Sequence, residues 1–73
     1  MAIENVEAPI TGTIVGIEVT EGQKVEEGDV LLYIESMKME NPIMAPVNGT
    51  ITKINVQKGK VVNTDDTLVL IEI

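Results

Sequence analysis

Aliphatic positions fall in short runs along this chain, and glycine, proline and polar residues break them at regular intervals: Pro9, Gly12, Gly22, Gly28, Pro42, Pro46, Gly49 and Gly59. Runs of this length, rich in Val, Ile and Thr and bounded by turn formers, read as strands of an all-β sandwich or barrel. The spacing predicts strands over 3–7, 13–19, 23–25 and 30–36, then 40–44, 50–56, 60–62 and 67–73. In two of them the apolar alternation slips phase. Ile17 and Val19 share a parity that Ile14 does not, and Ile51, Ile54 and Val56 repeat the slip. A one-residue slip moves side chains to the other face of a sheet, so each long strand is expected to carry a bulge or sharp bend. Glu21-Gly22 and Lys58-Gly59 read as tight turns in which glycine accepts positive φ.

The pattern is duplicated. Shifted by 37 positions, residues 8–35 overlay 45–72 without a gap, with 13 identities in 28 positions. Ala8-Pro9 meets Ala45-Pro46, Gly12-Thr13-Ile14 meets Gly49-Thr50-Ile51, and Asp29, Leu31, Ile34 and Glu35 meet Asp66, Leu68, Ile71 and Glu72. A half this small cannot close a core alone, so the copies are expected to interlock about a pseudo-two-fold axis within one domain spanning 1–73. The repeat also decides an ambiguity. Residues 30–41 could form a helix, with Asp29 as N-cap and Pro42 past its end. The second copy of that stretch, Thr67 to Ile73, is too short for one. Equivalent positions share a conformation, so 30–36 is a strand. If 30–36 and 40–44 form a hairpin, 67–73 and 3–7 pair likewise, and position 38 becomes the counterpart of position 1. The hairpin tip then lies at the end of the domain opposite the termini.

Composition agrees and excludes much else. Ten Val, ten Ile and seven Thr stand against four Leu and three Ala, with Tyr33 the single aromatic residue. β-Branched side chains lose rotamer freedom in helices and pack well on pleated sheets. A chain of 73 residues buries only about 60% of the surface its unfolded form exposes, which leaves little room for a catalytic cleft. There is no His or Cys, so the usual ligands for zinc, haem and iron–sulfur sites are missing and no metal site is expected. Triads built on His or Cys, and disulfide frameworks, are excluded on the same ground. A net charge of −7 has the wrong sign for gripping phosphate backbones, so no nucleic-acid partner is expected. No apolar run reaches membrane-span length, and the N-terminus lacks a signal core; the expectation is a soluble, cytoplasmic module without membrane insertion.

Between the copies stands Glu35-Ser36-Met37-Lys38-Met39-Glu40-Asn41-Pro42. Here the chain resembles the biotinyl, or biotin carboxyl carrier, domain of the biotinyl/lipoyl attachment family, whose signature is Glu-Ala-Met-Lys-Met. Ser36 replaces the commoner Ala, a small-for-small change. The resemblance covers nearly the whole chain, since that family also duplicates its halves around the motif. It implies a flattened β-barrel of two four-stranded antiparallel sheets, a barrel-sandwich hybrid. Lys38 would sit in a tight turn of the hairpin joining the halves, with biotin as covalent cofactor in amide linkage to its side-chain nitrogen. Partners implied are a biotin protein ligase, a biotin carboxylase using ATP and bicarbonate, and a carboxyltransferase or decarboxylase that exchanges the carboxyl group with its substrate. The domain itself would catalyse nothing. The Thr20-Glu21-Gly22 turn matches Gln57-Lys58-Gly59 in length, so the "thumb" insertion of some members is absent. That favours carriers like those of decarboxylases, transcarboxylases, and acyl-CoA or pyruvate carboxylases. Met1-Ala2 followed at once by a strand is compatible with a free-standing carrier and with the terminal domain of a longer protein.

The residues fit that chemistry. Lysine offers a compact amine on a flexible four-carbon stem. A free lysine amine is mostly protonated at neutral pH, so a ligase must help remove a proton before it attacks activated biotin. Met37-Lys38 is poor turn chemistry, because two-residue hairpin turns prefer Asn-Gly or Asp-Gly. Such breaks with local rules are expected at functional sites. Met37 and Met39 share a face opposite Lys38 if the strand alternation continues through them. At least one is then expected to be buried as a core filler, and together they are candidates for a partner-recognition flank. Glu35 and Glu40 could suggest paired acid–base carboxylates. Glu35 recurs as Glu72 in the copy without lysine, which points to a structural or surface role. Pro9 and Pro46 fit unpaired strand starts. Lipoate is the alternative cofactor, although lipoyl domains lack Met on both sides of their lysine. The other alternative is an unmodified structural barrel-sandwich module, which has no use for Met-Lys-Met at the junction.

Overall fold

A computed structural model describes residues 2–73. Eight strands follow one another: β1 (Ile3–Glu7), β2 (Gly12–Ile17), β3 (Lys24–Val25), β4 (Val30–Ser36), β5 (Met39–Met44), β6 (Gly49–Ile54), β7 (Val61–Val62) and β8 (Thr67–Glu72). They form two four-stranded antiparallel sheets, ordered β1-β8-β6-β3 and β5-β4-β2-β7. Residues 30–36 are a strand, as the repeat requires. Exchanging each residue for its counterpart 37 positions away carries one sheet order onto the other, and each sheet takes strands from both halves. Neither half is a separate layer.

The hydrogen bonds that lock the halves come in matched pairs. Ala8 N donates to Asp66 O and Ala45 N to Asp29 O, both at 2.8 Å. Ile14 N donates to Lys60 O and Ile51 N to Gln23 O, again at 2.8 Å. Gly59 N reaches Ile14 O and Gly22 N reaches Ile51 O, at 2.7 Å. The core obeys the same rule: Val6, Ala8, Ile14, Val19, Val25, Leu31, Leu32 and Ile34 are buried, and so is each residue 37 positions on. A thin aliphatic core is thus assembled from both copies at every layer.

The phase slips are bulges. Register shifts occur between Ile14 and Gly16 against β4 and between Ile51 and Lys53 against β8. The long strands end at Ile17 and Ile54, two residues before the predicted limits at 19 and 56. Glu18 N still donates to Leu31 O and Asn55 N to Leu68 O. The chain then leaves the ladder, and Val19 and Val56 enter the core from the connections instead. The Thr20–Gln23 and Gln57–Lys60 turns match, with Gly22 and Gly59 at φ 90° and 95°, and carry no insertion.

Gly12 and Gly49 are strand residues held to glycine by contact. A Cβ on Gly12 would lie 2.4 Å from Glu35 O and 2.6 Å from Ile34 Cγ2, and one on Gly49 would meet Glu72 O and Ile71 Cγ2 at the same distances. The close approach of β2 to β4 beside the Lys38 hairpin therefore depends on the missing side chain.

The termini lie side by side, since Ile73 N donates to Ala2 O at 2.9 Å. From there β1 leads away from the termini to Ala8, a short connection follows, and β2 opens with Thr13 paired to Glu35 just below the β4–β5 turn. In a body of 36 × 18 × 17 Å, the turn and the termini occupy opposite ends, as the repeat predicts. Met1, the counterpart of Lys38, lies outside the described residues.

Candidate functional site

The β4–β5 hairpin is paired from Val30↔Met44 to Ser36↔Met39, leaving Met37 and Lys38 as a two-residue turn. Both have positive φ, 55° and 65°. This is the conformation a type I′ turn demands, and its twist matches that of the flanking strands. For residues other than Gly, Asn or Asp it costs roughly 1–2 kcal/mol each. The ladder holds the strain in place. So does Asn41, whose Nδ2 donates to Ile34 O at 3.2 Å and to Met39 O at 3.1 Å, tying β5 to β4 just below the turn. Asn41 had no role in the sequence reading; its counterpart, Glu4, has a different side chain, so the repeat gave no signal for it.

Lys38 is exposed at the tip. Met37 and Met39 are 92% and 66% exposed, so neither is the core filler expected of at least one of them. The reason is the turn: strand alternation does not continue through a I′ corner, and Met39 restarts it beyond the last core layer. Two exposed methionines thus flank one exposed amine. Ser36 is half-buried opposite Met39. Glu35 and Glu40 face each other directly across the ladder, both exposed on the outer side of the sheet. They are strand-surface carboxylates. A concavity of about 480 Å³ lies at the other end of the molecule, lined by Lys24, Val25, Glu26, Asn48, Gly49, Thr50, Glu72 and Ile73. The hairpin itself is a projection. The arrangement suits an amine handed to another protein's active site, with the reacting group carried outside its own fold.

The fold and the projecting lysine define the class of a swinging-arm carrier domain, and comparison with known proteins agrees. The family model described as "Biotin-requiring enzyme" matches residues 4–71. The gamma subunit of glutaconyl-CoA decarboxylase from Acidaminococcus fermentans is 56% identical over 39 residues, covering 53% of this chain and 27% of that subunit. Biotinylated protein TB7.3 of Mycobacterium tuberculosis is 42% identical over 41 residues, covering 56% of this chain and 58% of that protein. The urea carboxylase structure from Kluyveromyces lactis superposes with a TM-score of 0.93 at 29% identity, covering 99% of this chain and 6% of that one. The chain belongs to the biotin-requiring family, as a biotin carboxyl carrier domain whose cofactor is biotin.

Proposed function

We propose that Lys38 is the biotin attachment point and that the domain serves as a mobile, non-catalytic substrate for a biotin protein ligase, a biotin carboxylase, and a carboxyltransferase or decarboxylase. The observation that carries this reading is the I′ turn itself: a strained two-residue corner, braced by Asn41, holding an exposed lysine at the end of the molecule farthest from the termini. Lys24, Lys53, Lys58 and Lys60 are exposed as well. None of them caps a two-residue hairpin or stands between methionines.

The residues fit the group. Biotin ends in a carboxyl function, and a primary amine on a four-carbon stem forms an amide with it. In the ligase, the Lys38 ammonium gives up a proton and Nζ attacks the acyl carbon of an activated biotin. The C–N bond forms, and the bond to the phosphate-bearing leaving group breaks. Attached biotin supplies a ring nitrogen that carries a carboxyl group from one enzyme site to another. This chain's part is mechanical. The ladder fixes where the arm begins, and the lysine stem lets the rest swing. Met37 and Met39 offer apolar, adaptable side chains that partner surfaces can pack against. The net charge of −7 favours encounter with basic rims.

Co-expression with a biotin ligase, followed by streptavidin blotting and intact mass, tests the reading. One biotin per chain is expected, and none on Lys38→Arg. Label persisting on Lys38→Arg, or a lipoyl mass increment, overturns it.

A further inference from the structure

The internal two-fold supplies a control surface for each part of this molecule. On the β5-β4-β2-β7 sheet, Ile14, Ile34 and Ile43 point into the core, so Thr13, Tyr33, Glu35, Glu40, Pro42 and Met44 face outward. One outer row is Gly16–Tyr33–Pro42, and below it Met44 pairs with Val30. The same rows on the other sheet are Lys53–Leu70–Asn5 and Glu7–Thr67. The fold is satisfied with charge at these positions in one copy. In the copy that carries Lys38 these positions are uncharged, the nearest charge at Gly16 being the Glu18 carboxylate, and Met44 is left 51% exposed.

Gly16 sharpens the contrast. Like Gly12 it has no positive φ, but a Cβ here would meet Tyr33 Cδ2 at 3.6 Å and Glu18 Oε2 at 3.8 Å, both ordinary contact distances. The fold does not require glycine here, as Lys53 at the equivalent position demonstrates. Without a side chain at residue 16, the edge of the half-buried Tyr33 ring is bordered there by the Glu18 carboxylate. The strip of Tyr33, Pro42 and Met44, with the Glu18 carboxylate at its Gly16 edge, then runs up the sheet to Glu35 and Glu40, which flank the Lys38 turn.

We infer that this outer face, centred on Tyr33, Pro42 and Met44 with Gly16 as a notch, is a docking surface for the biotin protein ligase; the inference rests on Lys38 being the attachment site. Any enzyme that joins a carboxyl group to an amine through a phosphate-activated acyl group must hold that anion, so its active site is electropositive. Glu35 and Glu40 present matching charge beside the amine. The apolar strip continues from them on the same face, where it meets protein surface next to the ligase site and excludes water there.

The test borrows the second copy's own residues. Gly16→Lys, Pro42→Asn and Met44→Glu, combined, place on this face what the fold already accommodates on the other. Steady-state biotinylation by a purified biotin protein ligase is measured with this chain as the varied substrate. The apparent KM is expected to rise about tenfold or more with kcat within about twofold, the size expected when an interface loses a central contact. Lys53→Ala and Glu7→Ala on the control face should leave KM unchanged. Circular dichroism establishes that the triple variant is folded; if it is not, Met44→Glu alone gives the same readout. An unchanged KM overturns the docking face while leaving Lys38 labelling intact. No labelling of the unmutated chain overturns the attachment reading instead. Concentration-dependent dimerisation of the unmutated chain, lost in the triple variant, assigns the face to a second copy and overturns the ligase proposal.

Discussion

Gly12→Ala and Gly49→Ala form a matched pair that tests how the hairpin is held. A methyl group at either position lands 2.4 Å from a backbone carbonyl oxygen. Contacts under 3.0 Å are not tolerated, so β4 or β8 must recede by roughly 0.6 Å. Neither strand is free to do so. β4 is paired with β2 on one side and β5 on the other, and β8 lies between β1 and β6. Overpacking of this kind costs typically 1–3 kcal/mol. A domain of this size has a stability of roughly 4–11 kcal/mol, so both variants should fold with visibly lowered urea midpoints. The two losses should agree within about 0.5 kcal/mol, because the contacts are the same. Their effects on labelling should differ. Gly12→Ala pushes on Glu35 O, two residues before Met37, and should slow biotinylation of the folded protein. Gly49→Ala pushes on Glu72 at the other end and should not. Either variant matching the unmutated protein in urea midpoint would refute the steric argument. Equal labelling by both would refute the link between the β2–β4 contact and the hairpin.

Other perturbations follow from particular contacts. Asp65 sits at φ 76° where the first copy has Gly28 at φ 94°; Asp65→Ala removes a side chain suited to this region and should cost about 1 kcal/mol, a Tm fall of about 4–8 °C by calorimetry. Asn41→Ala removes both hydrogen bonds below the turn and should cost about 1–2 kcal/mol, with faster amide exchange confined to residues around 37–40. Asn41→Asp sets a carboxylate against two carbonyl oxygens, which raises the acid's folded-state pKa. Its stability relative to wild type should therefore be better at low pH and lost as pH rises, the reverse of ordinary acid denaturation. Glu40→Gln relieves the direct Glu35↔Glu40 opposition and should stabilise by about 0.2–1 kcal/mol at low salt, fading as salt screens the pair.

Much of this architecture is legible from one repeat. The 37-residue offset implied the interlocked sheets, the strand over 30–36 and the placement of the turn opposite the termini, because duplicated sequence must satisfy the same local geometry twice. The bulges were legible for the same reason, as a phase slip occurring in both copies. What eluded the sequence was whatever the repeat does not repeat. At least one of Met37 and Met39 was expected to be buried because alternation was carried through a corner where it stops, and both are exposed. Asn41 was silent because its partners are carbonyls, which every residue has, and its counterpart is Glu4. Gly12 and Gly49 read as punctuation and turned out to be points of close strand approach, a property of strand separation that residue identity alone does not reveal. The outer-face asymmetry appears only once register shows which residues are equivalent and outward.

Whether Lys38 carries the biotin is decided by peptide-level mass spectrometry of the unmutated, ligase-treated chain. A single biotin-amide increment is expected on the peptide containing Met37-Lys38-Met39, with Lys24, Lys53, Lys58 and Lys60 unmodified. Biotin on any of those four lysines with Lys38 free would contradict it.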